Sequence, residues 1–284
     1  MVLKVEKTDG IGFCFGVKRA IDILEKVALE HGPVETLGSV VHNQQVLQRL
    51  ADIGVRVADS VDDTKGGIVA IGAHGVSPQL ESEIRARHTT IINTTCPFVH
   101  RAQIAASRLA KSGFLVIIYG DASHPEVKGI LGWADGKGVA TVDTSFIDTF
   151  ESLPRRLGVL SQTTQIPASF TEFVKKLIDS ALAKDSELRI IDTICHDLRK
   201  RQAAALELAN KVDLMLVIGS HTSANTRHLA ELCSTATETY LVETAEEIQP
   251  SWLQSHQHVG ITSGASTAER TINEVLSKLE ALVL

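Results

Sequence analysis

Short aliphatic runs and longer amphipathic stretches alternate along most of the chain. Runs of strand length occur at Val34–Leu37, Ile68–Ile71, Thr90–Ile92, Phe114–Tyr119, Gly158–Leu160, Leu188–Ile191, Leu214–Ile218, Tyr240–Val242 and His258–Ile261. Between them, apolar residues recur at helical spacing. Positions 17, 20, 21, 24, 27 and 28 form one stripe over Val17–Leu29, with Gly32 beyond it as a stop signal. Phe170, Phe173, Val174, Leu177, Ile178 and Leu182 form a second stripe over Phe170–Leu182. Continuously apolar strands alternating with helices predict parallel sheets covered on both faces, hence an α/β fold.

The polar exceptions to this pattern fall in one kind of place. Nine small, hydroxyl- and histidine-rich segments follow predicted strands: GIGFC, SVVHN, GAHG, NTTC, DASHPE, SQTTQ, DTIC, SHTSAN and TSGAS. In open α/β sheets the ligand crevice lies beyond the carboxyl ends of the strands, where helix N-termini also point. A set of such loops on one side of the sheets would line a site.

Composition narrows what that site serves. The 284 residues carry 28 Lys+Arg against 34 Asp+Glu, a net charge of −6, and no basic run suited to a nucleic-acid backbone. The longest apolar runs are strand-length, far short of the roughly 20 residues of a membrane helix, and the start MVLKVEKTDG lacks an apolar signal region. A cytoplasmic location and a monomer are therefore expected. Four scattered cysteines, Cys14, Cys96, Cys195 and Cys233, are too few for a disulfide framework, and 4% aromatics leave a core of Val, Ile, Leu and Ala.

Three of those cysteines expose an internal repeat. Each follows a strand and opens a helix: CFGVKRA from Cys14, CPFVHRA from Cys96 and CHDLRKRQA from Cys195. Twenty-eight residues beyond each stands another polar junction residue, at His42, His124 and Ser223. Three related α/β units follow, with expected bounds 14–95, 96–191 and 192–284, the last completed by the N-terminal strand 1–13. Buried thiols are commonplace, and Cys233 within HLAELCSTAT fits that description. The other three recur at helix starts, where free N–H groups and the dipole favour a thiolate. Structural zinc takes four ligands, often as C-x2-C pairs absent here. An iron–sulfur cluster held by three cysteines fits better, with catalytic zinc held by Cys and His as the alternative.

Other junction residues suit an anionic substrate. His42, His74 and His124 share the cysteines' topological position. Ser223, Asn225 and Ser266 are good helix caps and equally good members of a phosphate cradle, and Thr163 and Thr164 add hydroxyls. Glu126 is either an ordinary first-turn acid after Pro125 or a carboxyl group placed to deliver a proton.

GFCFGVKRAI, VVHN, AHGVSP, TTCPFV, HPEVKGI, SQTT, DTIC with RQ after it, and GSHTSAN followed by SGAS together resemble the 4-hydroxy-3-methylbut-2-enyl diphosphate reductase family, over residues 11 to 270. The resemblance implies a three-lobed, pseudo-threefold α/β protein around a central iron–sulfur cluster. Cys14, Cys96 and Cys195 match its ligands, holding a 4Fe-4S cluster with one open iron, or its 3Fe-4S form as isolated. His42, His74 and His124 match the substrate-facing histidines; Ser223, Asn225 and Ser266 match the diphosphate grip. Thr163 matches the threonine at the hydroxymethyl end, with Thr164 beside it, and Glu126 the proton donor. The implied reaction removes an allylic hydroxyl with two electrons and two protons, the hydroxyl held at the open iron, to give isopentenyl and dimethylallyl diphosphates. Ala224 stands where the family has a second serine, and 196–200 differs from the family's small, Thr-containing version. With no G-x-G-x-x-G after a strand, the implied electron donor is a reduced ferredoxin or flavodoxin. A cluster-based redox sensor or electron carrier and a cluster-dependent hydro-lyase are the competing classes.

Overall fold

The structure, a computed structural model, describes residues 3–41, 43–87, 90–149, 154–182 and 186–283. Among the described residues twelve strands form three four-stranded sheets, parallel throughout. One holds β2 (Val34–Leu37), β3 (Val55–Ala58), β4 (Ile68–Ile71) and β5 (Thr90–Asn93), in the order β3-β2-β4-β5. A second holds β6 (Leu115–Tyr119), β7 (Gly138–Thr141), β8 (Arg156–Ser161) and β9 (Glu187–Ile191), in the order β7-β6-β8-β9. The third holds β10 (Leu214–Ile218), β11 (Glu238–Val242) and β12 (His258–Ser263), completed by β1 (Lys4–Lys7) from the other end of the chain.

Its order, β11-β10-β12-β1, is the same arrangement as in the other two sheets, with β1 as the fourth strand. Each sheet thus places its second strand at one edge and its fourth at the other. Cys14, Cys96 and Cys195 each lie just beyond a fourth strand.

Nine α-helices occur among the described residues: α1 (Phe15–His31), α2 (Gln44–Asp52), α3 (Pro78–Arg87), α4 (Pro97–Lys111), α5 (Pro125–Trp133), α6 (Pro167–Leu182), α7 (His196–Ala209), α8 (Ala224–Ser234) and α9 (Glu269–Val283). Each is preceded by one of the nine polar junctions, and each junction follows a first, third or fourth strand. The second strands, β3, β7 and β11, lead into no such segment.

Burial explains why the strands read as unbroken apolar runs. Along β10, Leu214, Leu216 and Ile218 pack with Ile272, Val275 and Leu279 of α9, while Met215 faces the other way, onto Leu208 of α7 and Leu229 of α8. In the second sheet Val116, Ile118 and Leu160 meet α4 and α5, and Ile117, Leu157 and Val159 meet Phe170, Phe173 and Leu177 of α6. A strand covered on both faces cannot alternate polar with apolar residues. Cys233 sits in one such core, fully buried, its thiol pushed up to about 12 by burial.

By contact density the chain forms two compact units. One comprises Met1–Lys18, Val41–Arg49 and His196–Leu284, and carries the sheet with β1; the other comprises Arg19–Val40 and Leu50–Cys195, and carries the other two sheets. Among the described residues no helix is long and apolar enough to cross a membrane.

Candidate active site

In the larger unit the site residues come from loops that follow β4, β5, β6, β8 and β9. His124 caps the N-terminus of α5, and its Nδ1 accepts the Glu126 N–H at 3.2 Å. A neutral ring whose Nδ1 accepts carries its proton on Nε2, leaving that nitrogen as a donor. Glu126, the second residue of α5, is only 1% exposed. Its Oε1 accepts the Thr163 N–H at 2.6 Å and its Oε2 accepts the Thr163 hydroxyl at 2.8 Å.

Burial pushes the Glu126 carboxyl up to about 7, although both bonds from Thr163 pull it down. No counter-cation appears among the groups that set this value. A buried carboxyl that takes two donors and still favours its proton is a proton reservoir near neutral pH.

This has a consequence for stability. Unfolded, the carboxyl ionises near its ordinary value of 4.5; folded, it holds its proton to about 7. Between those values the unfolded chain binds fewer protons, so this group makes stability fall as pH rises, by on the order of 3 kcal/mol in all. Glu126→Gln is expected to remove that decline. Denaturant unfolding near pH 5 and near pH 8 checks it, and an unchanged pH slope in the variant contradicts it.

Thr163 joins this carboxyl to a cysteine: its carbonyl accepts the Cys195 N–H at 2.9 Å. Cys96 repeats the bond, with its N–H on the carbonyl of Ala73 at 2.9 Å, and Ala73 is followed by His74. His74 and His124 meet edge to face with ring centroids 5.3 Å apart. The turn after His74 requires glycine, since Gly75 has φ +67 and a Cβ there would come within 2.4 Å of the Gln103 side chain. Thr164, half-buried, follows Thr163.

The smaller unit repeats the pattern. The Cys14 N–H donates to Ala265 O at 2.9 Å, so all three cysteines are pinned to the second residue beyond the third strand of their sheet. Next in each loop come His74, Thr164 and Ser266, which are therefore topological equivalents. The Cys14 sulfur accepts the Val17 N–H at 3.5 Å, and its half-buried thiol is pushed up by burial against that amide and the Arg201 guanidinium. Ser223 caps α8, its Oγ accepting the Thr226 N–H at 3.4 Å. Asn225 is the second residue of α8, as Glu126 is of α5, and both are buried. Thr226 packs so closely on Gly264 that a Cβ there would lie 2.1 Å from its hydroxyl. His42 lies outside the described residues.

None of the cysteines is in a disulfide. Among the described residues no three His, Cys, Asp or Glu side chains gather as one ion would require. Three thiols, each on its own helix start, suit a polynuclear cluster in which each cysteine meets its own iron.

Sequence reasoning passed over Arg201 except as part of a motif. It donates to Gly12 O at 2.7 Å and Phe13 O at 3.0 Å, the two residues before Cys14. Thr193, likewise read only within the DTIC motif, takes the Ser161 N–H on its hydroxyl at 2.8 Å and so fixes the strand leading to Thr163.

The LytB protein family profile matches residues 5–280. A 4-hydroxy-3-methylbut-2-enyl diphosphate reductase of Dehalococcoides mccartyi (strain CBDB1) is 60% identical over 280 residues, covering 99% of both chains. One of Geotalea uraniireducens (strain Rf4) is 41% identical over 284 residues, covering 99% of this chain and 98% of its own. A solved (E)-4-hydroxy-3-methyl-but-2-enyl diphosphate reductase superposes with TM-score 0.70 at 35% identity, over 99% of this chain and 100% of that one. The E-1-hydroxy-2-methyl-but-2-enyl-4-diphosphate reductase of Plasmodium falciparum gives 0.91 at 25% identity, over 98% and 88%.

Proposed function

The chain belongs to the LytB protein family, whose members are iron–sulfur reductases of isoprenoid biosynthesis, and we propose that it reductively dehydroxylates 4-hydroxy-3-methylbut-2-enyl diphosphate. The products are isopentenyl and dimethylallyl diphosphates, formed with two electrons and two protons. The observation that carries this reading is the buried Glu126 carboxyl, held by Thr163, whose carbonyl takes the Cys195 N–H.

Cys14, Cys96 and Cys195 are the residues that would hold the cluster, as 4Fe-4S with one open iron or as 3Fe-4S when isolated. When bound, the cluster supplies electrons and a Lewis-acidic iron for the leaving hydroxyl. Glu126 holds a proton and delivers it to the reacting end of the substrate. Thr163 keeps that carboxyl oriented through its N–H and hydroxyl. His124 offers Nε2–H toward the anionic substrate, with His74 against its ring and His42 in the equivalent role. Ser223, Asn225, Ser266 and Thr164 supply hydroxyls and an amide beside exposed helix N–H groups, which together grip a diphosphate. At Ala224 a backbone N–H serves in place of a side-chain hydroxyl.

The three repeats are assigned to 14–95, 96–191 and 192–284 with 1–13. We place the enzyme in the cytoplasm as a monomer, receiving electrons from reduced ferredoxin or flavodoxin.

The test is turnover of the allylic diphosphate by protein purified without oxygen, with and without dithionite-reduced viologen. Both products are expected, and only with reductant. Product formed without reductant indicates a hydro-lyase, and none under either condition overturns the reading.

A further inference from the structure

Each cysteine helix carries an arginine in its second turn: Arg19 five residues after Cys14, Arg101 five after Cys96 and Arg201 six after Cys195. Their acceptors are backbone carbonyls of the loop before another cysteine. Arg19 Nη1 donates to the carbonyls of Thr94 and Thr95, each at 3.4 Å, just before Cys96. Arg101 Nη2 donates to Asp192 O at 3.5 Å, three residues before Cys195. Arg201 Nη1 and Nη2 donate to Gly12 O and Phe13 O, just before Cys14. Each of these arginines thus sits on the helix that follows one cysteine and bonds the backbone just before another. Every one of these bonds lies inside a single compact unit.

We propose that Arg19, Arg101 and Arg201 are positioning residues, each holding the backbone that presents a different cysteine. This rests on the reading of Cys14, Cys96 and Cys195 as cluster ligands. The acceptors argue for position over charge pairing. A guanidinium is a planar, permanently charged fork that normally seeks a carboxylate, yet each of these three spends donors on neutral carbonyls. The Arg201 side chain is only 12% exposed and has Asp197 at 3.6 Å, with its two shortest bonds on the Cys14 loop. Recurrence at three helices separates this from an incidental contact. Arg201, with the shortest bonds, should matter most, and Arg19 and Arg101, with longer ones, less.

The roles divide between geometry and field. Two carbonyls fixed by one fork stop the loop from swinging Cys14 away from its iron. A cation bonded to the residue beside Cys14 also favours the added electron of a reduced cluster.

The test compares anaerobically purified holoprotein with Arg201→Gln, Arg201→Lys, Arg19→Gln and Arg101→Gln, and with Arg270→Gln on the exposed face of α9 as control. Rate of iron loss to a chelator and cluster midpoint potential are read. Arg201→Gln is expected to lose iron at least tenfold faster and to shift the potential negative. Arg201→Lys, which keeps the charge without the fork, should restore the potential but not the retention. Arg19→Gln and Arg101→Gln should lose iron a few-fold faster. Should Arg201→Gln fail to fold, the retention of Arg201→Lys decides alone. Iron loss and potential equal to the Arg270→Gln control in every arginine variant overturn the proposal. A wild-type protein that takes up no cluster overturns the cysteine reading and the proposal with it.

Discussion

Glu126→Gln is expected to reduce turnover by about 10²- to 10⁴-fold, the range in which a positioned general acid contributes, while leaving iron content untouched. The argument begins with burial. At 1% exposure, Glu126 cannot exchange its proton freely with solvent, and its two oxygens are already engaged by the N–H and hydroxyl of Thr163. Glutamine matches its shape but places an amide where one of those donors must be accepted, and it has no proton to give. The folded carboxyl, pushed up to about 7, is protonated below that pH and ionised above it. Activity limited by this proton should therefore hold below about pH 7 and decline as pH rises through it. Steady-state rates of both forms with a strong reductant, across that range, check the assignment. A variant turning over within a few-fold of the parent removes Glu126 from the chemistry.

The second large effect concerns the thiols. Cys14→Ser, Cys96→Ser and Cys195→Ser are each expected to lose the cluster and, with it, all measurable turnover. Serine is a poor ligand for iron at neutral pH because its hydroxyl keeps its proton, whereas a thiol gives its proton up on binding metal. Each cysteine is placed by the same hydrogen bond, from its own N–H to the loop beyond the third strand of its sheet. No one of them is better placed to be spared. Cys233→Ser is the internal control: it sits among Leu208, Met215, Val217 and Leu229 and should lower stability without lowering iron content. Iron content falling equally in all four variants would mean that the loss reports folding and not ligation.

How far the sequence alone reaches can be judged from particular residues. The alternation of aliphatic runs and amphipathic stripes led to the parallel α/β arrangement, because strands covered on both faces carry no competing periodicity. Val55–Ala58 and Gly138–Thr141 escaped because they lack such a run. They are four-residue edge strands, one with a charged and exposed Arg56, the other built from Gly, Val, Ala and Thr. Neither is long or apolar enough to stand out.

The candidate site was legible where side chains repeat: three cysteines at helix starts, with junction residues at a fixed offset. It was not legible where the partner is a main-chain atom. Arg201 reaches a carbonyl 189 residues away, and a carbonyl leaves no mark in the sequence. The single-residue difference in offset between Arg201 and its counterparts Arg19 and Arg101 hides the relation further. The link from Thr163 to Cys195 is of the same kind: SQTT reads as a rim of hydroxyls, while the bond that couples it to the third cysteine is made by its backbone. Gly38, Gly120 and Gly219, each directly after a first strand and each donating its N–H to the last residue of the second, are a repeat signal that was available and went unused.

The central claim is that one chain with three helix-start thiols carries one polynuclear iron–sulfur cluster. Its most direct test is the iron and acid-labile sulfide content of the wild-type protein purified without oxygen. The account predicts about three to four iron and about four sulfide per chain. A chain that binds one metal ion without sulfide, or none, would contradict it.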